Sequence, residues 1–123
     1  MPRKVSRKNL IKKLDNVFSL YIRRRHAKND IAQCYTCGKK DHYKKLQNGH
    51  FMSRKSYATR WDETNCQVQC VKCNMFEQGM SYIFGLNLNK QFGEGTAEAL
   101  LIKSKEILKL SNDEVISLIT KYE

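Results

Sequence analysis

Cys34-Tyr35-Thr36-Cys37 and Cys70-Val71-Lys72-Cys73, two Cys-x-x-Cys pairs with 32 residues between them, decide how this chain folds. Four thiolates presented by two tight turns are the donor set of a closed, tetrahedral structural zinc site. Gly38 follows the first pair and suits a backbone that must turn around a metal. Between the pairs lie Leu46-Gln47-Asn48-Gly49-His50-Phe51 and then Arg60-Trp61-Asp62-Glu63-Thr64-Asn65, while the second pair runs directly into Asn74. Cys66 stands four residues before Cys70, breaks the pair spacing, and reads as a buried thiol outside the metal site.

Outward from that stretch, the 123 residues make one domain, 1–123, with a core small enough to gain from a metal staple. Five cysteines without an apolar leader or a long apolar run fit a reduced compartment, where paired cysteines bind metal more often than they form disulfides. A cytoplasmic protein with no membrane role is the expectation. The net charge of +11 is uneven: residues 1–60 carry 17 Lys and Arg against 3 Asp and Glu, and residues 61–123 carry 6 against 9. A half at +14 joined to a half at −3 points to a polyanion partner bound by phosphate neutralisation.

Residues 1–8 read as a basic arm with Arg3, Lys4, Arg7 and Lys8, and residues 9–28 as a basic amphipathic helix. Leu10, Leu14, Val17, Phe18, Tyr21 and Ile22 recur at three- and four-residue spacing and mark its core face. Arg23, Arg24 and Arg25 are about 100° apart on a helix, so they cannot all face one way, and at least one is expected to reach nucleic acid. Arg54, Lys55 and Arg60 join the candidate nucleic-acid contacts. Lys39 to Lys45 reads as a charged loop, Leu46 to Met52 as a strand, and Arg60-Trp61 as the neighbourhood of a second strand, with Trp61 a core anchor. From Val71 a helix is expected, with Phe76, Met80, Ile83, Phe84 and Leu88 as its stripe and Gly79 and Gly85 as weak points. Two C-terminal helices follow over residues 96–123: one capped by Thr96 and carrying Leu100, Leu101, Ile107 and Leu108, the other opened by a Ser111/Glu114 capping box before Val115, Leu118, Ile119 and Tyr122.

Hydrolysis of a phosphodiester needs a base, a divalent cation and a route for the leaving oxygen's proton. His50 suits the base, because imidazole is mostly neutral at pH 7 with an ordinary pKa of ~6.5. Asn74, beside the zinc knuckle, offers an amide oxygen to a hard cation such as Mg²⁺ or Mn²⁺. Asn65 is suited to tying the loop so that His50 is aimed.

The order of cysteine pair, histidine, asparagine, cysteine pair and asparagine resembles a treble-clef, ββα-metal nuclease of the HNH type, with the last position asparagine instead of histidine. YIRRR, CYTCG, LQNGHF, ATRWDETN and QCVKCN together resemble the NinG (Rap) recombination proteins of lambdoid phages over roughly residues 10–100. That resemblance implies an α+β fold with a zinc-bound ββα core over 34–90, flanked by the basic helix and the C-terminal helices. It also implies a phage or mobile-element protein of a bacterial host that cuts branched recombination intermediates such as Holliday junctions and D-loops. By it Cys34, Cys37, Cys70 and Cys73 hold zinc, and His50 and Asn74 serve the catalytic centre. Many HNH enzymes carry a cation ligand just before the catalytic histidine, where this chain has Gly49. Either His50 itself touches the cation or Asp62, Glu63, Asp41 or Asn48 supplies the ligand, with Asp62 and Glu63 preferred as the only carboxylates between His50 and Asn74. Branched DNA is then the expected partner, and a homodimer is compatible with it. The alternatives are an HNH enzyme that nicks or cuts ordinary duplex, and a zinc-dependent DNA-binding module without catalysis.

Overall fold

Helix α1 spans Arg7–Arg24 in a computed structural model that describes residues 5–123. It starts two residues before the expected boundary because the Ser6 side chain accepts a hydrogen bond from the Asn9 amide at 3.2 Å, a cap for one of the orphan donors of the first turn. Arg7 and Lys8 therefore lie in the helix and not in an arm; Arg3 and Lys4 fall outside the described residues. The helix also stops short of residue 28: the Ala27 amide bonds the Arg24 carbonyl at 3.0 Å in a tight turn, and Lys28 then pairs with Ile31 across a turn in which Asn29 and Asp30 adopt positive φ. Leu10, Ile11, Leu14, Phe18 and Ile22 are buried on its inner face, each worth about 1.5–3 kcal/mol relative to exposure.

Strands β1 (Ile31–Gln33) and β2 (Lys40–His42) pair antiparallel, with Ala32 opposite Asp41, and frame the first cysteine turn. The charged loop expected over 39–45 is thus a short strand followed by a helical turn at Tyr43–Lys45. Gly38, at φ +80°, allows its amide to reach the Cys34 carbonyl at 3.0 Å.

Strand β3 (Gln47–His50) pairs antiparallel with β4 (Cys66–Gln69), bringing Asn48 opposite Val68 and His50 opposite Cys66. The partner strand expected near Arg60-Trp61 lies instead at β4, and Tyr57–Arg60 forms a helical turn, α2. The reason is Asp62, whose carboxylate accepts the Thr64 and Asn65 amides at 2.8 and 2.9 Å and reverses the chain just before β4.

After the second cysteine turn the chain winds through one wide helical turn, Lys72–Phe76, and then breaks. Gln78, Gly79 and Met80 all have positive φ, so the single helix expected from Val71 is split, and α3 runs from Ser81 to Phe92. Phe76 falls on the wrong side of that break and is 75% exposed, whereas Phe84 and Leu88 are buried. Helix α4 (Thr96–Ser104) opens on Gly95 in the left-handed region; Thr96 follows it and donates its hydroxyl to the Gly93 carbonyl instead of capping. It ends before Ile107 and Leu108, which are exposed instead of continuing its stripe. Helix α5 (Asn112–Tyr122) begins with the reciprocal Ser111/Glu114 capping box.

Three apolar clusters hold this α+β arrangement. α1 and α5 enclose Trp61 and Cys66; Ala32, Leu46 and Val68 surround the buried cysteines; Phe84, Leu88 and Leu100 pack with Tyr35 and Phe51. No helix among the described residues is long and apolar enough to cross a membrane.

Candidate metal centre and adjoining cavity

Cys34, Cys37, Cys70 and Cys73 bring their sulfurs within 4.8 Å of one another, with Cys37 and Cys70 at 3.6 Å. A tetrahedron of sulfurs about 2.3 Å from zinc has edges of about 3.8 Å, whereas a disulfide needs about 2.05 Å. The cluster therefore fits zinc and not a disulfide pair. Burial pushes the Cys73 thiol up to about 12. Burial works the same way on Cys34, but the backbone N–H of Cys37, with Thr36 and Cys70, outweighs it and brings that thiol down to about 6. Four thiols this close cannot all ionise without a cation, and a zinc ion held there would supply the missing charge. Cys66 stays outside the cluster, fully buried, with its thiol raised by burial.

Beside this centre, α1, β3 and the wide turn that carries Cys73 and Asn74 flank a cavity of about 300 Å³ whose walls include Asp15, Ser19, Asn48, His50, Arg54 and Asn74. The fold thus brings together His50 and Asn74, which are 24 positions apart in sequence. His50 Nε2 lies 2.9 Å from the Arg60 carbonyl. A carbonyl can only accept, so Nε2 carries the proton and the neutral ring keeps its lone pair on Nδ1. Burial lowers His50's pKa from its ordinary 6.5, against a smaller upward pull from the Arg60 carbonyl. Asn74 donates Nδ2 to Gln47 Oε1 at 2.8 Å, which leaves Oδ1 as the unoccupied half of the amide.

Asn65 is fully buried and does not line the cavity. Its Oδ1 accepts the Met52 amide at 2.7 Å, and its Nδ2 donates to the carbonyls of Met52 and Thr59 at 3.2 and 3.0 Å. The loop from His50 to Arg60 is therefore cross-linked at both ends by one side chain.

Gly49 has a local cause. A Cβ there would sit 1.9 Å from Gln69 Oε1, because the fully buried Gln69 side chain crosses the glycine on its way to Thr36 and Gly79. Neither Asp62 nor Glu63 comes to the cavity. Asp62 is taken by the Thr64 and Asn65 amides and Lys103; Glu63 is taken by Tyr21, Tyr122, Arg25 and Lys121. Asp41 lies on β2 and accepts its neighbour's amide. The carboxylate that does line the cavity is Asp15, a residue the sequence did not single out, since one acid on a basic helix has no motif to mark it. Burial works to raise its pKa, but Arg60, Trp61 and Arg54 outweigh this and hold it below the ordinary 3.8.

The basic residues divide by what they touch. Arg25 is committed to the Cys66 carbonyl and Gln67, with its side chain only 13% exposed, and Arg60 is committed to Asp15. Arg23 binds Ser19 and the Tyr43 carbonyl at the cavity edge. Arg7 reaches Asn112, whereas Lys8, Lys55 and Arg24, which stacks over Tyr43, are exposed; Arg54 is exposed and paired with Asp15. Lys44, Lys45 and Lys72, not singled out in the sequence, are exposed as well.

A family model described as "Bacteriophage Lambda NinG protein" matches residues 3–123. No curated protein and no solved structure matches the chain.

Proposed function

The chain belongs to the bacteriophage lambda NinG family, and from that membership we propose that it is a metal-dependent DNA endonuclease of the HNH, treble-clef type that cuts branched recombination intermediates. The observation that carries this reading is the cavity in which His50, its Nε2 proton pinned on the Arg60 carbonyl, faces the same space as Asn74 beside the four-cysteine cluster. His50 Nδ1 accepts the proton of the attacking water as its oxygen bonds to phosphorus and the phosphodiester P–O bond breaks, the leaving oxygen taking a proton from solvent water. Its depressed pKa keeps the ring in the neutral, basic form at pH 7. Asn74 Oδ1 and the cavity wall would hold one Mg²⁺ or Mn²⁺, which supplies neutralisation of charge on the phosphate oxygens. Cys34, Cys37, Cys70 and Cys73 would hold zinc, and the closed site would keep the wide turn carrying Asn74 against β3. Exposed Arg24, Lys8, Lys55, Lys44 and Lys45 supply phosphate contacts.

A gel assay on matched linear, nicked and four-way DNA with Mg²⁺ or Mn²⁺ tests the proposal. Cutting confined to the four-way substrate is expected. Equal cutting of linear duplex would make this a general HNH nuclease, and binding without cutting in either ion would make it a zinc-dependent DNA-binding module.

A further inference from the structure

We infer that Asn48 is the cation ligand that takes the place of a side chain at residue 49, an inference that rests on the reaction centre proposed above. Five buried side-chain polar atoms among the described residues lack a hydrogen-bond partner, and Asn48 Oδ1 is the only one of them on a residue lining the cavity with His50 and Asn74. Buried acceptors are almost always satisfied, so an orphan buried amide oxygen on a residue that lines a polar cavity calls for an absent partner, an ion or a water. The alternatives are closed by their own contacts. Gly49 can carry no side chain while Gln69 crosses it. Asp62, Glu63 and Asp41 lie away from the cavity walls. Asp15 lines the cavity, but its Oδ1 accepts from Arg60 and Trp61 and its Oδ2 from Arg54 and Arg60, so both of its oxygens are already engaged.

Asn48 and Asn74 together offer two neutral amide oxygens, hard donors that suit Mg²⁺ or Mn²⁺ and disfavour soft metals. A two-residue step along β3 places Asn48 and His50 on the same face of the strand. The cation is thereby gathered from β3 on one side and from the zinc-anchored turn on the other.

Mn²⁺ binding to the zinc-loaded protein without DNA, followed by electron paramagnetic resonance, tests this in wild type, Asn48→Ala, Asn48→Asp and Asn74→Ala. Zinc content and circular dichroism check each fold. Affinity should fall about tenfold or more in Asn48→Ala, and rise by a similar factor in Asn48→Asp, where a carboxylate replaces the amide. Asn48→Asp preserves volume and keeps the test alive if the alanine variant does not fold. Weakening in Asn74→Ala with unchanged affinity in both Asn48 variants would overturn this inference alone. Unchanged affinity in all three would show that the cavity is not the cation site, and would remove the proposed reaction centre with it.

Discussion

Asn65→Ala removes a side chain that does not line the cavity, yet it should be costly for both fold and site. Three hydrogen bonds of a fully buried side chain are lost, to the Met52 amide and carbonyl, which are part-buried, and to the buried Thr59 carbonyl. At about 0.5–1.5 kcal/mol net for each bond, the loss is about 3 kcal/mol, a large share of the stability of a domain this size. Asn65→Asp is the sharper variant: it keeps the volume and the acceptor for Met52, but sets a carboxylate against two carbonyl oxygens and should cost at least as much. Because Thr59 neighbours Arg60, whose carbonyl holds His50, releasing the loop should also let water reach His50 and move its pKa back up toward 6.5. Urea unfolding of the zinc-loaded protein measures the first effect, and a histidine NMR titration the second. Stability within about 0.5 kcal/mol of wild type, with an unmoved His50, would refute the argument that Asn65 organises this loop.

Replacing Cys34 or Cys73 with Ser should abolish tight zinc binding and unfold the region between the cysteine turns, because metal binding here supplies folding energy on the order of 10 kcal/mol; zinc release and circular dichroism report it. Arg24→Ala should flatten the salt dependence of DNA binding by about 0.9 log-log units without lowering stability, whereas Arg25→Ala, which strips the Cys66 carbonyl and Gln67 of a donor, should lower the unfolding midpoint. His50 has a folded pKa below its unfolded value, so the unfolded chain takes up the proton first as pH falls. Its contribution is fully present above ~6.5 and lost as pH drops through the folded pKa, and His50→Ala should flatten that part of the stability profile.

Much of this was legible from side-chain chemistry alone. The two cysteine pairs gave the metal cluster because thiolate pairs at that spacing have few other uses, and the capping box and the apolar stripe of α1 follow local rules that tertiary structure left alone. The placement of β4 was not legible, because Cys66-Gln67-Val68-Gln69 is wholly buried and its glutamines disguise a core strand; Gln69 is held by Thr36 and Gly79. The split helix after Cys73 was missed for a related reason: three successive positive φ values include two at Gln78 and Met80, residues that carry no sequence mark for the left-handed region. Asp15 was invisible because its role depends on Arg54, Arg60 and Trp61 arriving from 39 to 46 residues away. Local patterns were readable, whereas pairings made only by the fold were not.

The proposed reaction is hydrolysis of a phosphodiester bond in this cavity with His50 as the base. Its most direct test is a comparison of purified, zinc-replete wild type and His50→Ala on four-way DNA with saturating Mg²⁺ or Mn²⁺, together with a binding measurement on the same preparations. Metal-dependent cutting by wild type and a loss on the order of 10²–10⁴-fold in His50→Ala are expected, with zinc content and junction affinity unchanged. Cutting at the wild-type rate by His50→Ala would contradict it.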